Sequence, residues 1–375
     1  MITEIGIENF KVFCKSKTFK LSNLNIFAGV NGRGKSTVFQ SLLLLAQSLI
    51  KNGSIDELSI NGSFINLSQF EDILCSYGTD EIIRFVFKTD NPKCNTLALG
   101  YKRNGQWKGK ICELNIDGKD YFSKNQSLMG EETGESGEEL VLQAYQKEDV
   151  NELFSNFYYI SASRLGPTLY EENKEENSFN PLGNLGENRL SVLDSHKSIL
   201  KDVKTWFNKI LGSSELEIKG SESTLQLFMK NNISMQRNAK SINMGFGYSY
   251  ILSIIITIIL AKKGSVIFIE NPEAHLHPKA QANLMEMICE YATSGIQFMI
   301  ETHSEHIVNS ARLFGLQTDK PITNDNISIH FFDEHFNVYE IKIEKNGLIR
   351  NWPAGFFDLE KQQLMEILRL SQKVK

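Results

Sequence analysis

Residues 23–49 read NLNIFAGVNGRGKSTVFQSLLLLAQSL. Asn23 to Ala28 (NLNIFA) read as a buried strand. The glycine-rich segment GVNGRGKST, residues 29–37, follows without a spacer. Beyond it Val38, Leu42, Leu43, Leu45 and Leu49 recur at helical spacing. Strand, glycine loop and helix are the opening of an α/β domain. Gly29 to Ser36 fits G-x-x-x-x-G-K-[ST], a loop whose backbone N–H groups turn inward around an anion. The following helix aims its positive end at the same anion. The candidate nucleotide-binding residues are therefore Asn31, Gly32, Arg33, Gly34, Lys35, Ser36 and Thr37. Lys35 would reach the β and γ phosphates, and the Ser36 hydroxyl would ligate Mg2+.

Such a site needs an acid nearby to complete the metal shell. Ser265 to Ile269 (SVIFI) is a five-residue apolar run, the mark of a buried parallel strand. It ends in Glu270 and continues as Asn271-Pro272-Glu273-Ala274-His275-Leu276-His277-Pro278. Residues 266–273 read as a Walker B element, with Glu270 holding Mg2+ through water. A second apolar run, Gln297 to Ile300 (QFMI), leads into Glu301-Thr302-His303-Ser304. The C-terminal ends of strands form the edge where open α/β sheets bind ligands. His303 is accordingly the candidate sensor of the γ phosphate. His275, His277, His303 and His306 could chemically hold zinc, but the nucleotide site explains these residues better.

The rest of the chain supplies the frame. Ile2 to Ile7 alternates and reads as a strand. Residues 55–125 hold short β-like runs such as Ile82 to Lys88, punctuated by Gly and Asn, which predicts an antiparallel β lobe. Gly130 to Glu139 (GEETGESGEE) reads as a solvated loop. Phe157 to Ile160 (FYYI) reads as a returning strand followed by SASRLGP, and residues 171–190 as a loop or lid. Residues 192–211 have a helical pattern, and NMGFG (243–247) precedes a strongly apolar helix ending near Leu260. Ile327 to Phe332 and Val338 to Ile343 look β-like ahead of a helical C-terminus. No internal repeat or sustained heptad run interrupts this order.

Length and composition set outer bounds. The 375 residues suggest about two domains at roughly 150 residues each. With 41% hydrophobic and 23% charged residues the chain is not mainly disordered. Forty basic against 45 acidic residues give net −5, so no global basic footprint advertises nucleic acid. Local clusters, Lys15, Lys17 and Lys20 or Lys230, Arg237 and Lys240, keep nucleic acid among the candidate partners. MITEIGIENFKVF lacks the features of a signal peptide. The longest apolar stretch, Ile251 to Ala261, is about half of a membrane-spanning helix. No membrane association and a cytoplasmic location are expected. The five cysteines are scattered without a CxxC pair, so reduced thiols are expected rather than disulfides or structural zinc.

Four segments together resemble the compact ATPase heads of the ABC type found in Rad50, SMC, RecF and OLD proteins: GIENFK, the phosphate loop, NMGFGYS, and the pair IENPEAHLHP and ETHSEH. The chain is most similar to AAA-type ATPases carrying a DUF3696 C-terminal region, through GKSTVFQSLLLLAQSL, YYISASRLGP, IENPEAHLHPKAQ and NWPAGFFD. The resemblance implies an ABC-type P-loop NTPase head: a central mixed or parallel sheet, an antiparallel β lobe and flanking helices. The ATPase domain would span 1–320, with a variable insertion at about 90–240 and a signature-like segment at 243–249. The DUF3696-like region would span 321–375. Lys11 would lie near the phosphates. Asn243, Gly245 and Gly247 would contact ATP held by another protomer of a homodimer or higher homo-oligomer. The cofactors implied are ATP and Mg2+.

One departure matters. The pattern usually places a catalytic Glu after the Walker B acid, and this chain has Asn271 there. An amide cannot take a proton as a base. Glu273, or Glu270 through water, would have to act, or turnover would be slow. Gln69 and the segment around Arg164 are both candidates for a Q-loop. About two hundred residues without heptads separate loop and signature, so a compact head is expected. About seventy residues follow His303 without a clear DxD cluster, so nuclease chemistry would come from a separately encoded effector. The resemblance thus implies an ATP-dimerised switch on a partner effector, such as a nuclease in anti-phage defence. The alternatives are a RecF-like or SMC-like DNA-repair ATPase and a nonhydrolytic ATP-bound scaffold.

Overall fold

The computed structural model describes residues 1–78, 80–122, 150–174, 180–212, 214–231, 239–317 and 323–372. Gly130 to Glu139 and Arg237 lie outside these. The strands are β1 (Ile2–Glu8), β2 (Lys17–Lys20), β3 (Leu24–Gly29), β4 (Glu57–Ser59), β5 (Ile83–Thr89), β6 (Thr96–Arg103), β7 (Lys108–Ile116), β8 (Lys119–Asp120), β9 (Phe157–Ile160) and β10 (Glu171–Glu172). They continue as β11 (Ser214–Gly220), β12 (Thr224–Asn231), β13 (Ala239–Lys240), β14 (Val266–Glu270), β15 (Gln297–Thr302), β16 (Ile327–Phe332) and β17 (Val338–Ile341). The α-helices are α1 (Lys35–Asn52), α2 (Phe70–Ile73), α3 (Arg189–Ser195), α4 (Leu200–Leu211), α5 (Phe246–Leu260), α6 (Pro278–Thr293), α7 (Glu305–Phe314) and α8 (Leu359–Ser371).

The central sheet runs β17-β16-β3-β15-β14-β9. All its neighbours are parallel except the β16–β17 hairpin. Every residue of β15 is buried, as are the first five of β3 and the first four of β14. Strands covered on both faces are mainly apolar, which is why these segments read as runs rather than alternations; the buried Asn25 on β3 is satisfied by the Ser22 and Phe298 carbonyls. Alternate side chains feed two cores. Ile26, Ile267, Ile269 and Ile300 face the core shared with α4, α5, α6 and α7. Phe27, Phe268 and Met299 face α1 and the β lobe. Phe268 there meets Phe39 and Phe157 at ring-centroid distances of 5.5 and 5.3 Å. Truncating it to Ala would cost about 3–5 kcal/mol.

The lobe is an antiparallel sheet ordered β2-β1-β5-β6-β7-β4, with β8 on β7. A third small sheet pairs β10, β12, β11 and β13. The β11–β12 hairpin lies beyond the helical pattern of residues 192–211, in a stretch without clean alternation. Strand β16 pairs in parallel with β3, Ile327 against Leu24 through Phe332 against Gly29. The C-terminal segment therefore completes the sheet that carries the phosphate loop. The cysteine expectation needs correction. Cys14 and Cys75 are bonded, with Cα atoms 5.3 Å apart. The bridge Phe10–Leu74 draws the two chain segments together, a tertiary contact that sequence spacing could not reveal. No helix among the described residues is long and apolar enough to cross a membrane.

Candidate active site

The phosphate loop joins β3 to α1 at the C-terminal edge of the central sheet. Gly34 caps α1 at φ 103°, and a Cβ there would come 2.7 Å from Val12. The glycine is thus required both by its left-handed backbone and by the close approach of the segment after β1. Asn31 and Gly32 are exposed, and Thr37 is buried in the first turn. Arg33 stacks on Phe336 at 4.4 Å. Lys11 donates to the Gln40 side chain at 2.7 Å, which places it against the second turn of α1.

Lys35 is only 3% exposed. Its ammonium curls back onto the loop, donating to the carbonyls of Gly29 at 3.1 Å and Val30 at 2.9 Å. It also lies 3.7 Å from Glu301 Oε1. Burial lowers the Lys35 pKa, and Glu301 partly opposes that. Ser36 donates to Glu301 Oε2 at 2.7 Å. Glu301 was not singled out from the sequence. The available signal was an acid ending a buried strand, the same signal that nominated Glu270. Glu301 ends the strand next to β3, and Glu270 ends the strand beyond it. Burial pushes the Glu301 carboxyl up, against the pull of Ser36 and Lys35.

Glu270 stands opposite Glu301 in the β14–β15 register. Its two oxygens accept from the Tyr159 hydroxyl and the Ala162 N–H, each at 3.0 Å. Burial, then the Glu270 charge, pushes the Tyr159 phenol up. Arg164 braces the same turn from within, at 2% exposure. It donates to the carbonyls of Ser161, Glu270 and Asn271 at 3.0, 2.7 and 2.8 Å. Its guanidinium lies 5.1 Å from the Tyr250 ring centroid. Burial draws its pKa down to about 10. Gln69, the other Q-loop candidate, caps α2 in the lobe.

Asn271 has φ 45°, and its N–H donates to the Glu301 carbonyl at 2.8 Å. Glu273 reaches across to the end of β15. It accepts from the Thr302 hydroxyl at 2.8 Å and the His303 N–H at 2.7 Å. The His303 imidazole is exposed and bonds the backbone of Gly29. Partial burial, then Lys35, lowers its pKa. The fold thus brings Lys35, Ser36, Glu270, Glu273 and His303 to one edge.

The signature-like segment divides. Asn243 and Gly245 are exposed, and Gly245 caps α5. Gly247 is buried, and a Cβ there would meet the His275 carbonyl at 2.5 Å. His275 in turn packs against Phe246 and Tyr250. Lys15, Lys20 and Lys240 are exposed, and Lys17 donates to the Val338 carbonyl.

A glycine loop between a buried parallel strand and its helix, with acids ending the neighbouring strands, defines an ATPase head of the P-loop NTPase class. The chain belongs to the AAA ATPase domain family, whose model matches residues 1–308. A protein family of unknown function, DUF3696, matches residues 322–367. The chain is 23% identical over 360 residues to the Old nuclease of Escherichia phage P2, covering 82% of this chain and 57% of that protein. It therefore spans little more than half the length of that relative. The fold is similar to that of an SMC head solved with the C-winged helix domain of ScpA. That match has a TM-score of 0.52 and 12% identity, over 96% of this chain and 99% of the other.

Proposed function

We propose that the chain is a slowly hydrolysing, Mg2+-dependent ATPase whose ATP-driven dimerisation switches a partner effector. The observation carrying this reading is the shared edge where Lys35, Ser36, Glu273 and His303 converge, while Asn243 and Gly245 stay exposed on the same chain. Lys35 exchanges the Gly29 and Val30 carbonyls for the β and γ phosphates. The Ser36 hydroxyl would hold the metal ion, which would supply positive charge against the phosphates. His303 senses the γ phosphate. Glu273, held through Thr302 and the His303 N–H, orients the attacking water and takes its proton. The Asn243–Gly245 entrance of α5 caps the γ phosphate bound to the other protomer, since a helix N-terminus is a ready anion cradle. The effector has nuclease-like chemistry, in a setting such as anti-phage defence. The nuclease relative supports that choice, as does a solved head that carries a bound protein partner.

Mass photometry of wild type and Glu273→Gln, with and without Mg-ATP, beside phosphate release, tests the reading. The expected result is ATP-dependent doubling of mass, with turnover reduced about 10²–10⁴-fold in the variant. Unchanged mass together with intact turnover in Glu273→Gln overturns both the trans signature and the base. Asn271 in place of a catalytic Glu favours one second reading, an ATP-bound scaffold without turnover. Dimerisation with no phosphate release from wild type would select it.

A further inference from the structure

Two carboxylates, Glu270 and Glu301, stand side by side at the ends of β14 and β15. Sequence order nominates Glu270 for the metal. Its surroundings differ: Glu270 is held by Tyr159 and Ala162, on β9 and the segment after it, whereas Glu301 is held by the P-loop residues Ser36 and Lys35. Arg164 ties the Glu270 and Asn271 carbonyls to the Ser161 carbonyl, so the turn is fixed to the segment after β9. Glu301 faces the other way, onto the two P-loop residues that handle phosphate and metal.

We propose that Glu301 is the acid of the magnesium shell and that Glu270 is a positioning residue for the Ser161–Arg164 segment. The inference rests on the ATPase reading above and revises only the metal side of it. The donors fit the ion. Mg2+ prefers hard oxygen ligands and is usually held by one or two carboxylates plus substrate phosphates and waters. Ser36 Oγ and the Glu301 carboxylate are such a pair, already 2.7 Å apart.

Electrostatics support the assignment. Without nucleotide, the nearest cation to Glu301 is Lys35 at 3.7 Å, and only 9% of Glu301 is exposed. When Lys35 turns to the phosphates, a buried carboxylate loses its partner. An uncompensated buried charge is strongly unfavourable. Ser36 and Glu301 together would hold a metal ion whose charge would compensate the carboxylate once the ammonium has left. Glu301 cannot withdraw far to solvent instead. Strand β15 is hydrogen-bonded to β3 on one side and β14 on the other, and Asn271 N–H holds the Glu301 carbonyl.

Binding of a fluorescent ATP analogue by wild type, Glu301→Gln and Glu270→Gln, each in Mg2+ and in EDTA, tests this. Wild type should bind more tightly in Mg2+. Glu301→Gln should lose tenfold or more of that gain, while its affinity in EDTA stays within a few-fold of wild type. Glu270→Gln should keep the wild-type Mg2+ dependence. Retained Mg2+ dependence in Glu301→Gln overturns the proposal. So does its loss in Glu270→Gln, a result that decides even if Glu301→Gln does not fold. Wild type that binds nucleotide in neither buffer overturns the ATPase reading itself, a distinct outcome. Titration of Mn2+ by electron paramagnetic resonance with ATP present gives a second readout. Glu301→Gln should lose the nucleotide-dependent Mn2+ site that Glu270→Gln retains.

Discussion

The P-loop end of the site and the entrance of α5 treat their polar groups in opposite ways. At the P-loop end Lys35, Ser36, Glu301, Glu273 and Thr302 are all engaged within the chain. At the α5 entrance Asn243, Gly245 and Phe246 lie exposed, and only Gly247 is enclosed. The backbone and acids of the first region are already in place, and Lys35 alone has to exchange the Gly29 and Val30 carbonyls for phosphate. Preorganised charge in a buried setting acts strongly because it needs no rearrangement at the moment of reaction. The second region presents its backbone to solvent. Arg164 and Tyr250 sit between them, one holding the Walker B turn and the other on α5.

Removing the central cation should break the contrast outright. Lys35→Ala leaves Glu301 without its buried partner and the phosphates without their principal cation. ATP hydrolysis should fall by about 10²–10³-fold or more. Filter binding of labelled ATP should show the same loss, whereas a small change would mean that the P-loop end does not depend on its lysine.

The next effect is on the connection. Arg164→Ala removes the donor to three carbonyls, and each unsatisfied buried group costs about 1–3 kcal/mol. The guanidinium's own burial cost, visible in its lowered pKa, offsets part of this. A net loss of about 3 kcal/mol in chemical denaturation is expected. Arg164→Lys should recover little, since an ammonium cannot reproduce the planar fork.

The two ends of the signature-like segment should then separate. A methyl group at Gly247 collides with the His275 carbonyl, and overpacking of this kind costs about 1–3 kcal/mol. A Cβ at Gly245 meets nothing within 4 Å. Gly247→Ala should therefore lower the melting temperature of the nucleotide-free chain. Gly245→Ala should leave melting within about 0.5 kcal/mol of wild type. It should nonetheless weaken ATP-driven mass doubling. Equal melting losses in the two variants would erase the distinction between an inner and an outer glycine.

Much of this was legible in the residues. The P-loop, the helix after it and the apolar runs of β14 and β15 are local patterns, and local patterns survive into the fold. Relations between distant strands are not local. Nothing near Glu301 says that β15 pairs with β3, or that Glu270 lies one strand farther away. The β11–β12 hairpin, with Glu215, Glu217 and Lys219 facing Lys230, Phe228 and Gln226, lacks the clean alternation that marked Ile2 to Ile7. The pairing of β16 with β3 and the contact of Cys14 with Cys75 likewise depend on tertiary closure. Glu273 was readable as an acid near the site. Its bonds to Thr302 and His303 follow only from the turn at Asn271, which takes a left-handed φ of 45°.

The smallest expected effect separates two histidines by pH. His330 is buried on β16 between Phe19 and Phe27, and its Nε2 lies 2.9 Å from the Lys20 carbonyl. Burial lowers its pKa from the ordinary 6.5, and burial with Lys35 nearby lowers that of His303. Both imidazoles therefore bind a proton more readily in the unfolded chain. Their contribution to stability is complete above about pH 6.5 and declines as pH falls through the lowered folded values. Denaturation of the nucleotide-free chain between pH 7.5 and pH 5 should show that decline, and His330→Gln should flatten most of it. Mg-ATP acts on only one of the two. A γ phosphate at His303 favours the imidazolium and offsets the repulsion from Lys35, so His303 should take up a proton on binding. The His303-dependent part of the slope should then shrink in Mg-ATP, while the part removed by His330→Gln stays. If Mg-ATP leaves the His303→Asn difference unchanged across that range, the imidazole does not face the γ phosphate, and His303 belongs with the structural groups of the loop.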